Sequence, residues 1–234
     1  MTRNLTEPTH FDEYSENYDA ALNEGISATG EVKDYFARRR VEWLARSLQS
    51  LSEQPKSVMD YGCGDGSTTP LFSELLKAEY VTGVDTSLKS LELAQRTYGD
   101  VWTRFLPIAD YQPRAELDLV YCNGVFHHIP TLEREAALNY IWGALRPGGL
   151  FALWENNPWN PGTRYVMSRI PFDRDAITLT PPEACSLLRQ GRFQVLQTDF
   201  LFLFPNMLKA LRWIEPLVSR LPLAGQYQVL CRKS

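Results

Sequence analysis

The chain is poor in the residues that mark several whole classes of function. It has four cysteines in 234 residues, Cys63, Cys122, Cys185 and Cys231, and no two form a Cys-x-x-Cys pair. That spacing suits neither a zinc site nor a disulfide framework, so reduced thiols are expected and a metal is not. No apolar stretch reaches the length of about 20 residues that a membrane-spanning helix needs, and no apolar run follows a basic start. The formal net charge is −4, without the basic excess of a nucleic-acid-binding module. The one basic run, Arg38-Arg39-Arg40, interrupts a helical pattern and reads as a solvated face. There is no internal repeat and no low-complexity segment. These absences predict a cytoplasmic protein that engages neither nucleic acid nor a membrane by stable insertion; a homodimer is left open.

What is present centres on Ser57-Val58-Met59-Asp60-Tyr61-Gly62-Cys63-Gly64-Asp65-Gly66-Ser67-Thr68-Thr69. An apolar run typical of a buried strand passes into three glycines at alternate positions, and Pro70 then opens a helical pattern through Leu71, Phe72, Leu75 and Leu76. Strand, glycine turn and helix bring backbone N–H groups against a polar ligand. Asp60, before the turn, is ill placed for a phosphate and well placed for a ligand with a cationic end, such as an amino acid's ammonium group.

Along the chain, Phe11, Tyr14, Tyr18, Ala21 and Leu22 recur at helical spacing, and a second helical pattern covers about Glu31 to Leu48. Beyond the glycine turn, apolar runs alternate with helical patterns: Tyr80–Asp85, a helix from Leu88 capped by Ser87 or Thr86, a weaker strand Trp102–Leu106, and Leu117–Asn123. Thr131 is read as capping the next helix, which stops at Arg146-Pro147-Gly148-Gly149, and Leu150–Glu155 is the fifth strand. Near-continuous apolar strands imply a sheet covered on both faces. The polar, aromatic loop Asn156–Gly162 follows, then the capping box Thr180-Pro181-Pro182-Glu183 and a strand within Arg192–Phe204. A continuous helical stripe with a kink at Pro216 is read over Pro205–Leu221, before a last strand Gln226–Leu230.

The acid followed by Gly-x-Gly-x-Gly, the strand ending in Asp85 some twenty residues later and the Arg-Pro-Gly-Gly turn resemble the class I S-adenosylmethionine-dependent methyltransferases. That resemblance implies a doubly wound, Rossmann-like α/β sheet of seven strands with the last antiparallel. In this reading residues 1–234 form one domain: a helical cap over 1–50, a cofactor-binding core over 57–204, a helical insertion over 205–225 and the final strand over 226–232. It implies S-adenosylmethionine as cofactor, S-adenosylhomocysteine as product, and methylation of an oxygen, nitrogen or carbon of a small molecule in secondary or specialised metabolism. Asp60, Gly62 and Gly64 would hold the methionine end, Asp85 the ribose and Asp110 the adenine, with Cys63, Thr86, Ala109 and Asn123 as further cofactor-binding residues. Tyr14 and Tyr18 would close over the cofactor.

His127 and His128, after the fourth strand, are the candidates for a general base, although methyl transfer from a sulfonium can proceed by alignment alone. Glu155, Asn156, Asn157, Trp159 and Arg164 form the expected acceptor-binding group, with Trp154 adding flat apolar surface. An NAD-dependent oxidoreductase is the first rival. Its fingerprint wants the third glycine one residue later, where this chain has Ser67. A non-catalytic S-adenosylmethionine-binding module is the second.

Overall fold

A computed structural model describes residues 18–173 and 176–234, with side chains from Leu22 onward. Helix α1 (Tyr18–Ile26) runs further than the helical spacing predicts and ends in a 3-10 turn, Ser27–Thr29. Helix α2 (Lys33–Ser50) buries Ala37, Val41, Leu44 and Leu48, an i, i+4, i+7, i+11 stripe that turns one face to the sheet. The strand β1 (Ser57–Tyr61) leads through the glycine turn to a short helix, α3 (Thr69–Leu71), which widens into a π turn, Phe72–Leu76, and stops at Lys77 with φ +60°.

The strand β2 (Tyr80–Asp85) passes to α4 (Leu88–Tyr98), whose first turn is capped by Ser87 Oγ accepting from the Ser90 amide. β3 (Thr103–Pro107) and β4 (Leu117–Asn123) follow. Thr131 does not cap the next helix. It begins a 3-10 turn, Thr131–Glu133, and α5 (Arg134–Ala144) starts after it without a side-chain cap. β5 (Leu145–Asn156) already begins at the helix end, with a register shift opposite Leu117 and Leu119 at the Pro-Gly-Gly turn. The remaining elements are α6 (Pro161–Arg169), a 3-10 turn at Pro171–Asp173, α7 (Pro181–Gln190) with its capping box intact, and β6 (Phe193–Leu201). Then come a 3-10 segment Asn206–Ile214, the single turn α8 (Glu215–Val218) and β7 (Gln226–Lys233).

The sheet has the order β3-β2-β1-β4-β5-β7-β6. All neighbours are parallel except those of β7, which runs antiparallel to both β5 and β6, as the resemblance implied. Its two faces carry separate cores. One packs Met59, Tyr61, Val120, Cys122, Phe151 and Leu153 under α5 and α7; the other packs Val58, Leu119, Tyr121, Ala152 and Trp154 under α2 and Phe72. Strand side chains alternate between faces, so Asp60 shares its face with Val58, on the α2 side.

The segment before β7 departs from expectation. No residue of Asn206–Ile214 is buried, Leu208 has non-helical angles, and Met207, Trp213 and Leu217 are largely exposed. Pro205 and Pro216 each withhold an amide donor and restrict the residue before them, which breaks the stripe into tighter turns. The segment is held by polar contacts instead. Glu215 Oε1 accepts from the Leu203 and Phe204 amides at 3.0 and 3.1 Å, and Arg212 pairs with Glu31 at 2.7 Å.

Candidate functional site

The strand order reverses between β1 and β4: β1 continues through β2 on one side, and β4 opens the other. A crevice beyond the carboxyl ends of the strands at such a switch point is where open α/β sheets bind ligands. Asp60, the glycine turn, Asp85 and Asn123 all lie there. The turn is pinned to the end of β2 by the Gly62 and Cys63 amides, which donate to the Val84 carbonyl at 2.8 and 3.1 Å. The Gly64 amide donates to Asp85 Oδ2 at 2.8 Å, and Asp85 Oδ1 accepts from the Ser87 amide at 2.9 Å.

Two of the glycines are needed for different reasons. Gly62 has φ +77°, and a Cβ there would stand 2.3 Å from Val125 Cγ2. Gly64 has φ +53°, and a Cβ there would meet nothing within 4 Å. Gly62→Ala should therefore cost roughly 2–5 kcal/mol, the sum of left-handed strain and overpacking. Gly64→Ala should cost about 1–2 kcal/mol from strain alone. Urea denaturation of both variants checks the order, and equal losses would show that Val125 simply moves aside.

The electrostatics of the turn are unusual. Asp60 is 3 % exposed, and its carboxyl is pushed from 3.8 up to about 8 by burial, then by Asp85 and Asp65, with Arg40 pulling the other way. No hydrogen-bond donor among the described residues meets it. A buried acid with two acidic neighbours asks for a cation. Asp65 has one already: burial raises its carboxyl, but Lys33 Nζ at 2.6 Å and Ser67 outweigh that and hold it below the usual range. Cys63 is buried, and burial with Asp60 and Asp85 pushes its thiol well up, so it is not a nucleophile at neutral pH.

Arg40 is the residue the sequence reading missed. The run Arg38-Arg39-Arg40 reads as a solvated face. Arg38 does pair with Glu74 on the surface, and Arg39 lies beside Glu42. Arg40 is 7 % exposed, with Nη1 donating to Gln226 Oε1 at 2.9 Å, on the side of the sheet that carries Asp60. Its place in the stripe Ala37–Val41–Leu44 was the signal available.

Asp110 follows β3, exposed, in a loop tied back to Asp85 by the Ile108 amide donating to the Asp85 carbonyl at 3.0 Å. Ala109 and Thr86 are also exposed, and Asn123 is half-buried at the end of β4. These four therefore line the same sheet edge as Asp85. Tyr14 lies outside the described residues, as does the side chain of Tyr18.

The acceptor group expected after β5 is largely corrected. Glu155 is 1 % exposed, and both its oxygens are used inside the fold: Oε1 accepts from the Phe126 amide at 2.9 Å and Oε2 meets His127 Nδ1 at 2.6 Å. Asn157 is fully buried; its Nδ2 donates to the Pro222 and Ala224 carbonyls, and its Oδ1 accepts from the Trp159 amide. Both residues build the site's walls. Asn156 Oδ1 holds Gln226 at 3.1 Å, and Trp154 is wholly within the core. Trp159 and Arg164 are exposed, at the start of α6.

His127 is corrected as well. It is 3 % exposed between Glu155 and Asp173. Burial works against a charge there, yet the two carboxylates outweigh it and push the ring up to about 10. Its Nδ1 is committed to Glu155 at 2.6 Å, and the ring is buried in the fold and not open to an acceptor. His128 is half-buried, with Nε2 3.3 Å from Asp173 Oδ1.

Comparison with known proteins agrees with this geometry. A family model described as a methyltransferase domain matches residues 58–149, from β1 to the turn within β5. Trans-aconitate 2-methyltransferase of Escherichia coli O139:H28 is 27 % identical over 140 residues, 59 % of this chain and 53 % of the relative. The enzyme of the same name from Methylobacterium radiotolerans is 32 % identical over 121 residues, 52 % of this chain and 45 % of its own. The chain thus spans about half the length of the curated relatives it matches. Among solved structures, 1,6-didemethyltoxoflavin-N1-methyltransferase of Burkholderia thailandensis, crystallised with its acceptor and S-adenosylhomocysteine, superposes with a TM-score of 0.60 at 20 % identity over 100 % of this chain and 93 % of its own. A TehB-like methyltransferase from Corynebacterium glutamicum gives 0.61 at 17 % identity, over 95 % and 99 %. With the strand order and the acid–glycine turn at its switch point, residues 58–149 match a methyltransferase domain and share the fold of these solved methyltransferases.

Proposed function

We propose that this chain transfers a methyl group from S-adenosylmethionine to an oxygen, nitrogen or carbon of a small molecule. The observation that carries the reading is Asp60, a buried carboxyl before the glycine turn that no hydrogen-bond donor among the described residues meets, raised by burial and by the nearby Asp85 and Asp65. A ligand whose amino-acid end bears a positive charge satisfies it; a dinucleotide's phosphates would add repulsion. Asp85 accepts from the Gly64 and Ser87 amides, and a carboxylate can take more than one donor on each oxygen, as the two ribose hydroxyls would require. Ala109 and Asp110, on the loop beyond, are assigned to the adenine.

Methyl transfer then needs an acceptor aligned with the methyl–sulfur bond in a water-poor site. His127 is not required as base. Trp159 and Arg164 are the residues of the loop after β5 still open to an acceptor, and they suit a polar molecule with one flat face. The relatives' name makes trans-aconitate the first acceptor to assay.

Calorimetric titration tests the cofactor. S-adenosylmethionine and S-adenosylhomocysteine should bind, NAD should not, and Gly64→Ala should weaken binding by at least tenfold while the protein stays folded. NAD binding of similar affinity would overturn the reading. Binding without conversion of S-adenosylmethionine to S-adenosylhomocysteine, across a panel of acceptors, would favour the non-catalytic module.

A further inference from the structure

We propose that His127, His128 and Asp173, gathered beyond the end of β4, bind a divalent transition-metal ion of the zinc class, where the cysteine spacing predicts no metal. The three donor atoms lie within 4.8 Å of one another. His127 Nε2 stands 3.5 Å and His128 Nε2 3.3 Å from the same oxygen, Asp173 Oδ1. A tetrahedral ion with bonds of about 2.0–2.1 Å holds its ligands about 3.3–3.4 Å apart, so two edges of the site already have the right length. The third, between the histidines, closes by rotation of the half-buried His128.

A second observation points the same way. His127 Nε2 is buried, and among the described residues it has no hydrogen-bond partner although a carboxylate oxygen faces it. Its other nitrogen is taken: Nδ1 meets Glu155 Oε2 at 2.6 Å, and Glu155 is itself fixed by the Phe126 amide. A carboxylate on one ring nitrogen, leaving the other turned toward a second ligand group, here Asp173, is the way proteins orient a metal-binding histidine. Two imidazoles and one carboxylate suit zinc or cobalt better than magnesium or calcium, which prefer all-oxygen sites. The loops that carry the ligands are joined, since the Ile177 amide donates to the His127 carbonyl at 2.9 Å and Arg134 donates to the Ile177 carbonyl at 2.7 Å. With three protein ligands, the fourth position is open to water or to an oxygen of a bound small molecule.

The proposal is independent of methyl transfer, and its test reads the metal directly. Untagged protein is stripped with a chelator, dialysed and titrated with Co²⁺, whose visible absorption reports tetrahedral nitrogen and oxygen ligands. One equivalent should bind and be displaced by Zn²⁺. His128→Gln, at the half-buried position, and Asp173→Asn should lose the spectrum while circular dichroism stays that of the parent. Glu155→Gln should weaken binding about 10–100-fold. If the folded parent takes up no stoichiometric Co²⁺, or if His128→Gln binds it as tightly as the parent, His127 is only the cation between two carboxylates and the proposal falls.

Discussion

Asp60→Asn is expected to weaken S-adenosylhomocysteine binding most at high pH and least at low pH. Above pH 8 the parent offers an ionised carboxylate to the ligand's ammonium group, and the variant offers a neutral amide. The loss of a charge-assisted contact there is worth about 1.5–3 kcal/mol, roughly 10–150-fold in affinity. Below pH 8 the parent must give up a proton to bind, because burial and its acidic neighbours hold the free carboxyl up at about 8. Its affinity should fall by up to about tenfold per pH unit below that point, while the variant's does not. Titration of the ligand itself is common to both proteins and cancels in the ratio.

The sign for stability is opposite. Asp60's folded value lies above its unfolded value of 3.8, so between about pH 4 and 8 the folded state holds a proton that the unfolded state has released. The ligand-free protein should lose stability as pH rises through that window, and Asp60→Asn should be spared the loss. Calorimetry at several pH values and thermal unfolding give the two readouts. A pH-independent ratio of affinities would remove Asp60 from the ligand.

Asp85→Ala should have the larger absolute effect. It removes two ribose contacts, each worth about 1.5–3 kcal/mol when one partner is charged, and so on the order of a hundredfold or more in affinity. It also frees the Gly64 and Ser87 amides, which Asp85 now holds at 2.8 and 2.9 Å. The glycine turn and the start of α4 should loosen with it, and the variant should unfold at lower urea. Asp85→Asn keeps one acceptor oxygen and should recover part of both losses. If Asp85→Asn restores stability and Asp85→Ala binds cofactor as the parent does, the carboxylate serves the turn and not the ribose.

Much of this was legible in the sequence, and the reason is local. Near-continuous apolar runs, the glycines at 62, 64 and 66, the cap at Ser87 and the capping box at Thr180 are each written within a few residues, where sterics and short hydrogen bonds decide the outcome. Strand endings at Asp85 and Asn123 followed from the same patterns, and a parallel sheet then had to collect them on one edge.

The misreadings came where the partner is distant in the chain. Pro205–Leu221 carries a helical stripe, but a stripe becomes a buried face only when another element covers it, and two prolines shorten its turns here. Asn157 looked like a recognition residue because an amide in a polar loop usually is one. Its partners, Pro222 and Ala224, arrive only when β7 lies beside β5.

The sequence by itself determined the sheet, the acid–glycine turn and the kind of ligand that turn admits, since all three rest on backbone geometry over short spans. Tertiary structure alone decided the charge states. Asp60 is raised because α2 and the sheet bury it beside two other acids. The register that sets Asn123 against Trp154 carries Glu155 to His127, and Asp173 reaches the same ring from beyond α6. Burial and the distance between charges fix what a carboxyl or an imidazole does, and neither quantity exists until the chain has folded.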